Sequence, residues 1–458
     1  MFFYIRNLNF SFGKPIELNI LHFSIEKLKN YYQSFFMKNM KDIKEKIWKK
    51  IDNEKSNIIK LASDLIKIPS ENPPGDMSQI SSFIINHLKS YGLKYEIYEI
   101  EKGRINIICK LGSLNKPLLM LNGHMDVVPA GDSSRWSFPP YSGEIKNGFI
   151  LGRGASDMKG GLAGIIATME FLAESNIDLP GSLVLVIVPD EETGSFYGNE
   201  WIMKQKIFNP TACIIAEPTS IDSIDVGQRG ALWLRIIVKG KPIHGSLSPY
   251  LGDNAIMKSF EICKRVLKLT EMESTPPSDI KETIDFSQKF IEKLIGFKNI
   301  GRILRSPSVN IGMINGGTKI NMVPDKCNID IDIRLPIGLS VNQVKKELIS
   351  ILKEYEKDIE LNVITAMEPN YTSPKEDIVK CLYKNIKEVT SIDPKIFVQW
   401  ASSDARFFRY AGIPTIHYGP SIIEGIHGYD EKVKAEDIIF ATKVYIGTVI
   451  DFFKSNFK

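Results

Sequence analysis

The chain has 458 residues carrying 58 basic and 54 acidic side chains, so its formal net charge is only +4. That balance gives no electrostatic case for nucleic acid as a partner. A single hydrophobic core stops growing near about 250 to 300 residues, so this length predicts two domains.

The N-terminal stretch, MFFYIRNLNFSFGKPIELNILHF, is aromatic but is interrupted by Arg6, Asn7, Asn9 and Lys14. It lacks the cationic start, apolar core and small-residue cleavage site of a secretory signal. Residues 1–40 are expected to be an N-terminal extension of unknown role, either a peripheral arm or a start that lies later, at Met37 or Met40. No stretch approaches the roughly 18 consecutive apolar residues of a membrane span. Five cysteines, Cys109, Cys213, Cys263, Cys327 and Cys381, are far apart and form no C-x-x-C. They read as small buried apolar residues, not as a disulfide framework or zinc site, and point to a reducing cytoplasm.

From residue 41 to 226 predicted strands and helices alternate. LLMLNGHMD (118–126) is an apolar run that ends abruptly in Gly123, His124 and Asp126. Strand periodicity puts residues i and i+2 on one face, so the His124 imidazole and the Asp126 carboxylate can cooperate as metal ligand and orienting partner. Alone, an H-x-D triplet is more often a surface turn or a satisfied hydrogen-bonding pair. Three more acidic sites follow apolar strand candidates of their own: GFILGRGASD carries Asp157, SLVLVIVPDEE carries Glu191 and Glu192, and ACIIAEP carries Glu217. Each acid taken singly reads as well as a solvated loop residue or a helix cap. Open α/β sheets bind ligands at the carboxyl ends of their strands, so the set can converge there.

The middle of the chain changes character. ALWLRIIVKG reads as a strand, DNAIMKSFEICKRVLKL as a helix, SVNIGMIN and CNIDIDIRL as strands, VNQVKKELISILKEY as a helix and ELNVITAM as a strand. This β-α-β-β-α-β order is that of a ferredoxin-like sandwich, spanning residues 227–368. A polar, helical insertion between Glu271 and Arg305 carries no chemical motif and is expected to lengthen a helix pair or a loop. The first pattern resumes over 369–458 with DIVKCLYKNIKEV and GIPTIHYGP, the latter followed by a loop holding His427.

GHMDVVP, GRGASDMKGG, PDEETGS, AEPT and IHGYDE, in that order, resemble the successive motifs of the metallohydrolases that include acetylornithine deacetylase, succinyl-diaminopimelate desuccinylase, aminoacylase and glutamate carboxypeptidase. The resemblance runs from about Ile58 to the C-terminus. It implies an α/β catalytic domain with a central, mostly parallel sheet (41–226 and 369–458), interrupted by an inserted ferredoxin-like α+β lid (227–368) that also forms a homodimer interface. It implies two divalent metal ions bridged by Asp157, with His124 and Glu217 completing one set of ligands, Glu192 and His427 the other, and Asp126 hydrogen-bonded to His124. Mixed imidazole and carboxylate ligation suits zinc, and cobalt or manganese fits the same donors. Adjacent residues point in different directions, so Glu191 is expected to be the general base and not a second copy of Glu192. A metal-activated water would attack an amide carbonyl while Glu191 takes its proton and later delivers it to the departing amine. The resemblance also implies a non-proline cis bond after Asp157.

His244, in KPIHGSLSP, reads by itself as an exposed or hydrogen-bonded loop side chain. The resemblance implies a histidine that reaches the site of a partner subunit and stabilises an oxyanion. The GSLSPYLG that follows departs from the shorter spacing of many relatives. Asn321 and Arg334 match substrate-contacting positions, although Arg334 reads equally as a strand-surface residue paired with Asp330 or Asp332. WASSDARFF, around Ser402 to Arg406, resembles a loop lining the site, with Gly317 and Gly419 allowing close backbone approach.

A partial G-x-G in GRGASDMKGG lacks the Walker spacing, so a nucleotide site is disfavoured, and no G-x-S-x-G elbow is present. The expected substrate is a small N-acyl amino acid in amino-acid biosynthesis. A dipeptidase or carboxypeptidase acting on short peptides, and a non-catalytic metal-binding scaffold, remain as alternatives.

Overall fold

The structure is a computed structural model that describes residues 18–112, 117–175, 177 and 179–456, with side chains from residue 42 onward. A long helix, α1 (Leu18–Lys67), leads to α2 (Ser78–Ser90) and the hairpin β1 (Tyr95–Glu101) and β2 (Arg104–Gly112). Then come β3 (Leu118–His124), β4 (Ile145–Lys146), β5 (Phe149–Leu151), α3 (Gly160–Glu174), β6 (Ser182–Val188), α4 (Asn199–Gln205), β7 (Ala212–Ile215) and β8 (Ser223–Gln228). The middle holds β9 (Gly230–Lys239), α5 (Ala255–Val266), α6 (Lys281–Ile295), β10 (Ser308–Gly316), β11 (Lys326–Leu335), α7 (Val341–Ile351) and β12 (Ile359–Met367). The chain continues through β13 (Asn370–Tyr371), α8 (Asp377–Thr390), β14 (Lys395–Val398), α9 (Ala405–Tyr410), β15 (Thr415–His417), β16 (Lys432–Lys434) and α10 (Ala435–Ser455).

Strand β6 shows why the large sheet forms. Its residues alternate between two apolar environments: Leu183, Leu185 and Ile187 join one core, while Val184, Val186 and Val188 join another. A strand buried on both faces reads as a continuous apolar run. One face is covered by α1, α3, α8 and α10, and the other by α4 and α9. The strand order is β1-β2-β6-β3-β7-β15-β8-β13, with β14 beside β8. The centre, β6 through β15, is parallel. Antiparallel pairs enter at both flanks, where β14 alone runs parallel to β8, so the sheet is mixed and its middle fits the expectation of a mostly parallel one. At the β1–β2 flank the connection is too short for the crossover that parallel pairing needs.

A separate antiparallel sheet, β10-β11-β9-β12, packs with α5 and α7 around its own core. The connectivity β9-α5-β10-β11-α7-β12 is the expected β-α-β-β-α-β. Strand β11 turns Cys327, Ile329, Ile331, Ile333 and Leu335 inward and its charged residues outward. Helix α7 starts with a capping box in which Ser340 and Gln343 satisfy each other's backbone N–H.

The 271–305 stretch departs from expectation. It neither lengthens a helix pair nor forms a plain loop: α6 docks on the large unit, where Ile280, Ile284, Ile291 and Leu304 join the core of the large sheet. Ser287 Oγ accepts a hydrogen bond from the Val398 backbone N–H at 2.9 Å, fixing α6 to β14. Ile284, Ser287 and Ile291 lie on one helical face, which makes the docking stripe. Which core that stripe meets is a tertiary matter that the spacing leaves open.

Of the expected N-terminal arm, residues 1–17 lie outside the described residues, and α1 runs through position 40. All five cysteines are buried free thiols. No helix among the described residues is long and apolar enough to cross a membrane.

Candidate active site

Four of the candidate residues arrive as expected, at the carboxyl ends of three neighbouring parallel strands. β3 ends in His124, β6 runs into the turn Glu191–Thr193, and β7 runs into Glu217. Asp157 comes by another route. Its preceding strand, β5, lies in a small sheet of order β16-β5-β4 and not in the large one. The turn carrying Asp157 is fixed by Glu431, whose carboxylate accepts from the backbone N–H groups of Gly154, Ser156 and Asp157 at 3.0, 3.0 and 3.1 Å. The same carboxylate pairs with Arg153 Nη1 at 2.6 Å, and both side chains are buried. The Asp157–Met158 peptide is cis, as the resemblance implies.

Glu431→Gln replaces one acceptor oxygen with an amide NH2 facing backbone donors and leaves the Arg153 guanidinium without its counter-charge. Breaking one side of a buried ion pair costs about 3 to 5 kcal/mol. Urea denaturation of the variant should show a stability loss of that order, and a loss below about 1 kcal/mol would mean that the turn is held by other contacts.

Five donors converge in two sets that share Asp157. His124 Nε2 lies 3.1 Å from Asp157 Oδ1 and 3.7 Å from Glu217 Oε1. His427 Nε2 lies 3.2 Å from Asp157 Oδ2 and 3.2 Å from Glu192 Oε2. Within each set the donor atoms all fall within 4.8 Å of one another. His427 reaches the cluster from a left-handed backbone conformation, φ 59°, and is the one member half-exposed, at 51 % of its side chain.

The charge state of this cluster calls for a cation. Burial pushes the Glu192 carboxyl up to about 7, with the charge of Asp157 adding to it, and burial raises Glu217 as well. Asp157, although buried, is held below the usual carboxylate range by hydrogen bonds with His124 and His427. Hydrogen bonds with Asp157 and Glu192 push His427 up to about 10. Glu192 Oε1 and Glu217 Oε1 are buried without a hydrogen-bond partner. Buried unpaired carboxylate oxygens are costly unless something positive meets them. Two imidazoles and three carboxylates in two sets with one shared member fit two divalent ions.

Asp126 does more than the sequence suggested. Its Oδ1 accepts from the Glu191 N–H at 3.1 Å, and its Oδ2 from the Glu192 N–H at 3.2 Å and from Asn72 Nδ2 at 2.8 Å. His124 Nδ1 is closest to the Asp126 backbone carbonyl, at 2.9 Å, with the carboxylate at 3.4 Å. The carboxylate is turned toward the N–H groups that the start of a helical turn leaves unsatisfied. It thereby ties the strand carrying His124 to the turn carrying Glu191 and Glu192.

Glu191 belongs to neither donor set. Its carboxyl is raised well above the ordinary value, by burial first and then by Glu217 and Asp404. Together with Asp157, Glu192, Glu217 and His427 it lines a cavity of about 340 Å³. Gln399, Trp400, Ser402, Ser403 and His417 form more of the wall, so the loop read from WASSDARFF lies where expected. Gly419 permits close approach there, since a Cβ on it would lie 2.4 Å from the Ala216 carbonyl oxygen.

Ser403 Oγ, 2.9 Å from His417 Nε2, and His417 Nδ1, 2.5 Å from Asp225 Oδ2, make a hydrogen-bonded chain in this wall. Ser403 also donates to Gln228 Oε1 at 2.8 Å. The hydroxyl is thus committed to a structural network and is not set up as an activated nucleophile.

The remaining candidates lie elsewhere, and none of the three lines the cavity. His244 is exposed on the smaller unit, with Nδ1 2.8 Å from Ser246 Oγ. Asn321, also exposed, is its neighbour: the Asn321 carbonyl accepts from the Gly245 N–H at 2.8 Å. Arg334 is turned to Asp332, Nε to Oδ1 at 2.9 Å, the strand-surface pairing weighed from the sequence. Gly317 adopts φ 78° on the same unit. Sequence reasoning missed Glu431, although it ends the IHGYDE motif. It also missed Asn72, Phe290 and Leu294, which carry no motif.

The sequence pattern of peptidase family M20/M25/M40 matches residues 120–451. The succinyl-diaminopimelate desuccinylase of Hahella chejuensis is 29% identical over 399 residues, covering 85% of this chain and 95% of the relative. A metallo-carboxypeptidase of Sulfolobus solfataricus matches the structure with a TM-score of 0.73 at 21% identity, covering 87% of this chain and 99% of that one. Human carnosine dipeptidase 1 matches with a TM-score of 0.68 at 18% identity, covering 90% and 99%. At those identities the structural likeness speaks for the fold.

Proposed function

This chain belongs to peptidase family M20/M25/M40 and is a metallohydrolase acting on amide bonds, and from that premise we propose that it hydrolyses the amide bond of an N-acyl amino acid. The observation that carries the reading is the placing of Asp157 between two histidine and carboxylate sets, with Glu191 beside them and outside both. In this reading His124, Asp157 and Glu217 would hold one ion, and Asp157, Glu192 and His427 would hold the other. Zinc is the expected metal, with cobalt or manganese suited to the same donors. When bound, the ions supply positive charge that polarises the amide carbonyl and makes a water acidic. Glu191 takes one proton from the attacking water as its oxygen bonds to the carbonyl carbon. It returns that proton to the nitrogen as the carbon–nitrogen bond breaks. Asp126 is a positioning residue, because it holds the N–H groups of Glu191 and Glu192.

The four-stranded unit is read as a lid and dimer interface in a cytoplasmic enzyme. Exposed apolar side chains on it, among them Trp233, Ile314, Ile320 and Met322, support that reading. So does the exposure of His244 and Asn321, which suits residues that serve a partner subunit. His244→Ala should lower kcat by roughly 10²- to 10³-fold, the scale of losing one oxyanion donor, with metal content unchanged. Loss of metal in that variant would show His244 to be misplaced here. Arg334 would leave Asp332 to meet the substrate carboxylate.

Hydrolysis of matched N-acetyl, N-succinyl and dipeptide substrates by metal-loaded protein tests the proposal. Cleavage of the N-acyl compounds is the expected result. Cleavage of dipeptides alone would favour the peptidase branch, and no cleavage with both ions bound would favour a scaffold.

A further inference from the structure

We propose that the inserted helix α6 builds an apolar subsite in this cavity, so that the preferred substrate carries a bulky uncharged group on the acyl side of the scissile amide. The inference rests on the N-acyl hydrolase reading above and names its substrate class.

The insertion joins the core of the large sheet through Ile280, Ile284, Ile291 and Leu304. With Ser287 bonded to the β14 backbone, the positions three and seven residues on, Phe290 and Leu294, fall on the same helical face and reach the cavity. They meet Phe397 and Trp400 there; the Phe290 and Phe397 rings are 5.5 Å apart at 55°. Phe286 stacks on Phe290 at 6.0 Å, which backs the wall from outside. The cavity lining thus joins the carboxylates and imidazoles, the neutral polar Thr219, Gln399, Ser402 and Ser403, and an aromatic and aliphatic patch of Phe290, Leu294, Phe397 and Trp400.

No lysine or arginine lines the cavity among the described residues. The nearby Arg406 is spent on the Ser403 and Gly194 carbonyl oxygens, and Lys395, whose Nζ lies 5.5 Å from the Phe290 ring centroid, is paired with Asp222. A succinyl carboxylate resting on this wall would be desolvated, and the cation beside it, Lys395, is already paired with Asp222. The amino-acid half of an N-acyl amino acid always bears a carboxylate, so the uncharged wall suits the other half, the acyl group. An aromatic or medium-length aliphatic acyl chain would bury against Phe290, Leu294 and Trp400.

The test compares N-acetyl, N-succinyl, N-hexanoyl and N-benzoyl forms of one amino acid in the metal-loaded full-length enzyme. It adds calorimetric binding of the same compounds to metal-loaded Glu191→Gln, which reads the subsite without turnover. The expected wild-type result is an N-hexanoyl or N-benzoyl kcat/KM at least about tenfold above that for N-succinyl, a scale typical of hydrophobic-pocket discrimination. Phe290→Ala and Leu294→Ala should each lower kcat/KM for N-hexanoyl and N-benzoyl substrates several-fold more than for N-acetyl, erasing most of that preference, and Leu294→Arg should shift it toward N-succinyl. Equal binding of all four acyl groups by Glu191→Gln, or tighter binding of N-succinyl, would overturn the subsite. Equal losses on N-acetyl and N-hexanoyl in the alanine variants would do the same. Apolar-acyl binding without cleavage by the wild type would leave the subsite standing and sink the hydrolase reading instead.

Discussion

Asp157→Ala is expected to abolish turnover and to empty both metal positions, because each of its two oxygens faces a different donor set. Removing it leaves His124 with Glu217 on one side and His427 with Glu192 on the other, a pair of ligands apiece. It also unbinds the two charges that the shared carboxylate holds in register. The loss combines general-base positioning with charge stabilisation, so kcat should fall by at least about 10⁴-fold. Metal analysis of the dialysed variant is the accompanying measurement. Retention of two ions with normal affinity would show that Asp157 is not the bridge.

Glu191→Gln separates chemistry from metal binding. The amide is nearly isosteric, keeps the N–H contact to Asp126 and leaves both donor sets intact. It cannot accept a proton from water. Turnover should fall by roughly 10²- to 10⁴-fold, the range of a positioned general base, with both ions retained and the melting temperature close to that of the parent. Near-normal turnover would remove Glu191 as the base, and loss of an ion would make it a ligand. Contrast with Glu431→Gln sharpens the result, since that substitution acts on the turn holding Asp157 and should be read first in stability.

The donors were legible in the sequence because each sits at a discontinuity of pattern. An apolar strand that stops at His124, at Glu191 and Glu192 or at Glu217 places polar chemistry at a strand end, and adjacent parallel strands bring those ends together. The four-stranded unit was legible for a similar reason, since the alternation of isoleucine and charge in β11 has one buried face. What stayed hidden depends on tertiary contact. The antiparallel β1–β2 pairing follows from a short connection, whereas the antiparallel β2–β6, β15–β8 and β13–β8 pairings join strands far apart in the chain, which hydrophobic pattern does not encode. The Asp126 carboxylate, 3.4 Å from the His124 ring, also accepts from two backbone N–H groups of a turn 65 residues away. Glu431 acts across 274 residues on the Asp157 turn. Helix α6 is amphipathic in sequence, yet its spacing does not say that its apolar stripe would join the large core and carry Phe290 and Leu294 to the cavity.

Chelator-stripped protein titrated with zinc, cobalt or manganese, with hydrolysis of the best N-acyl amino acid followed at each addition, tests the central claim most directly. The account predicts no cleavage by the stripped protein and activity that rises to a plateau as two ions bind. Undiminished cleavage by the stripped protein, or none with both ions in place across the whole substrate panel, would contradict it.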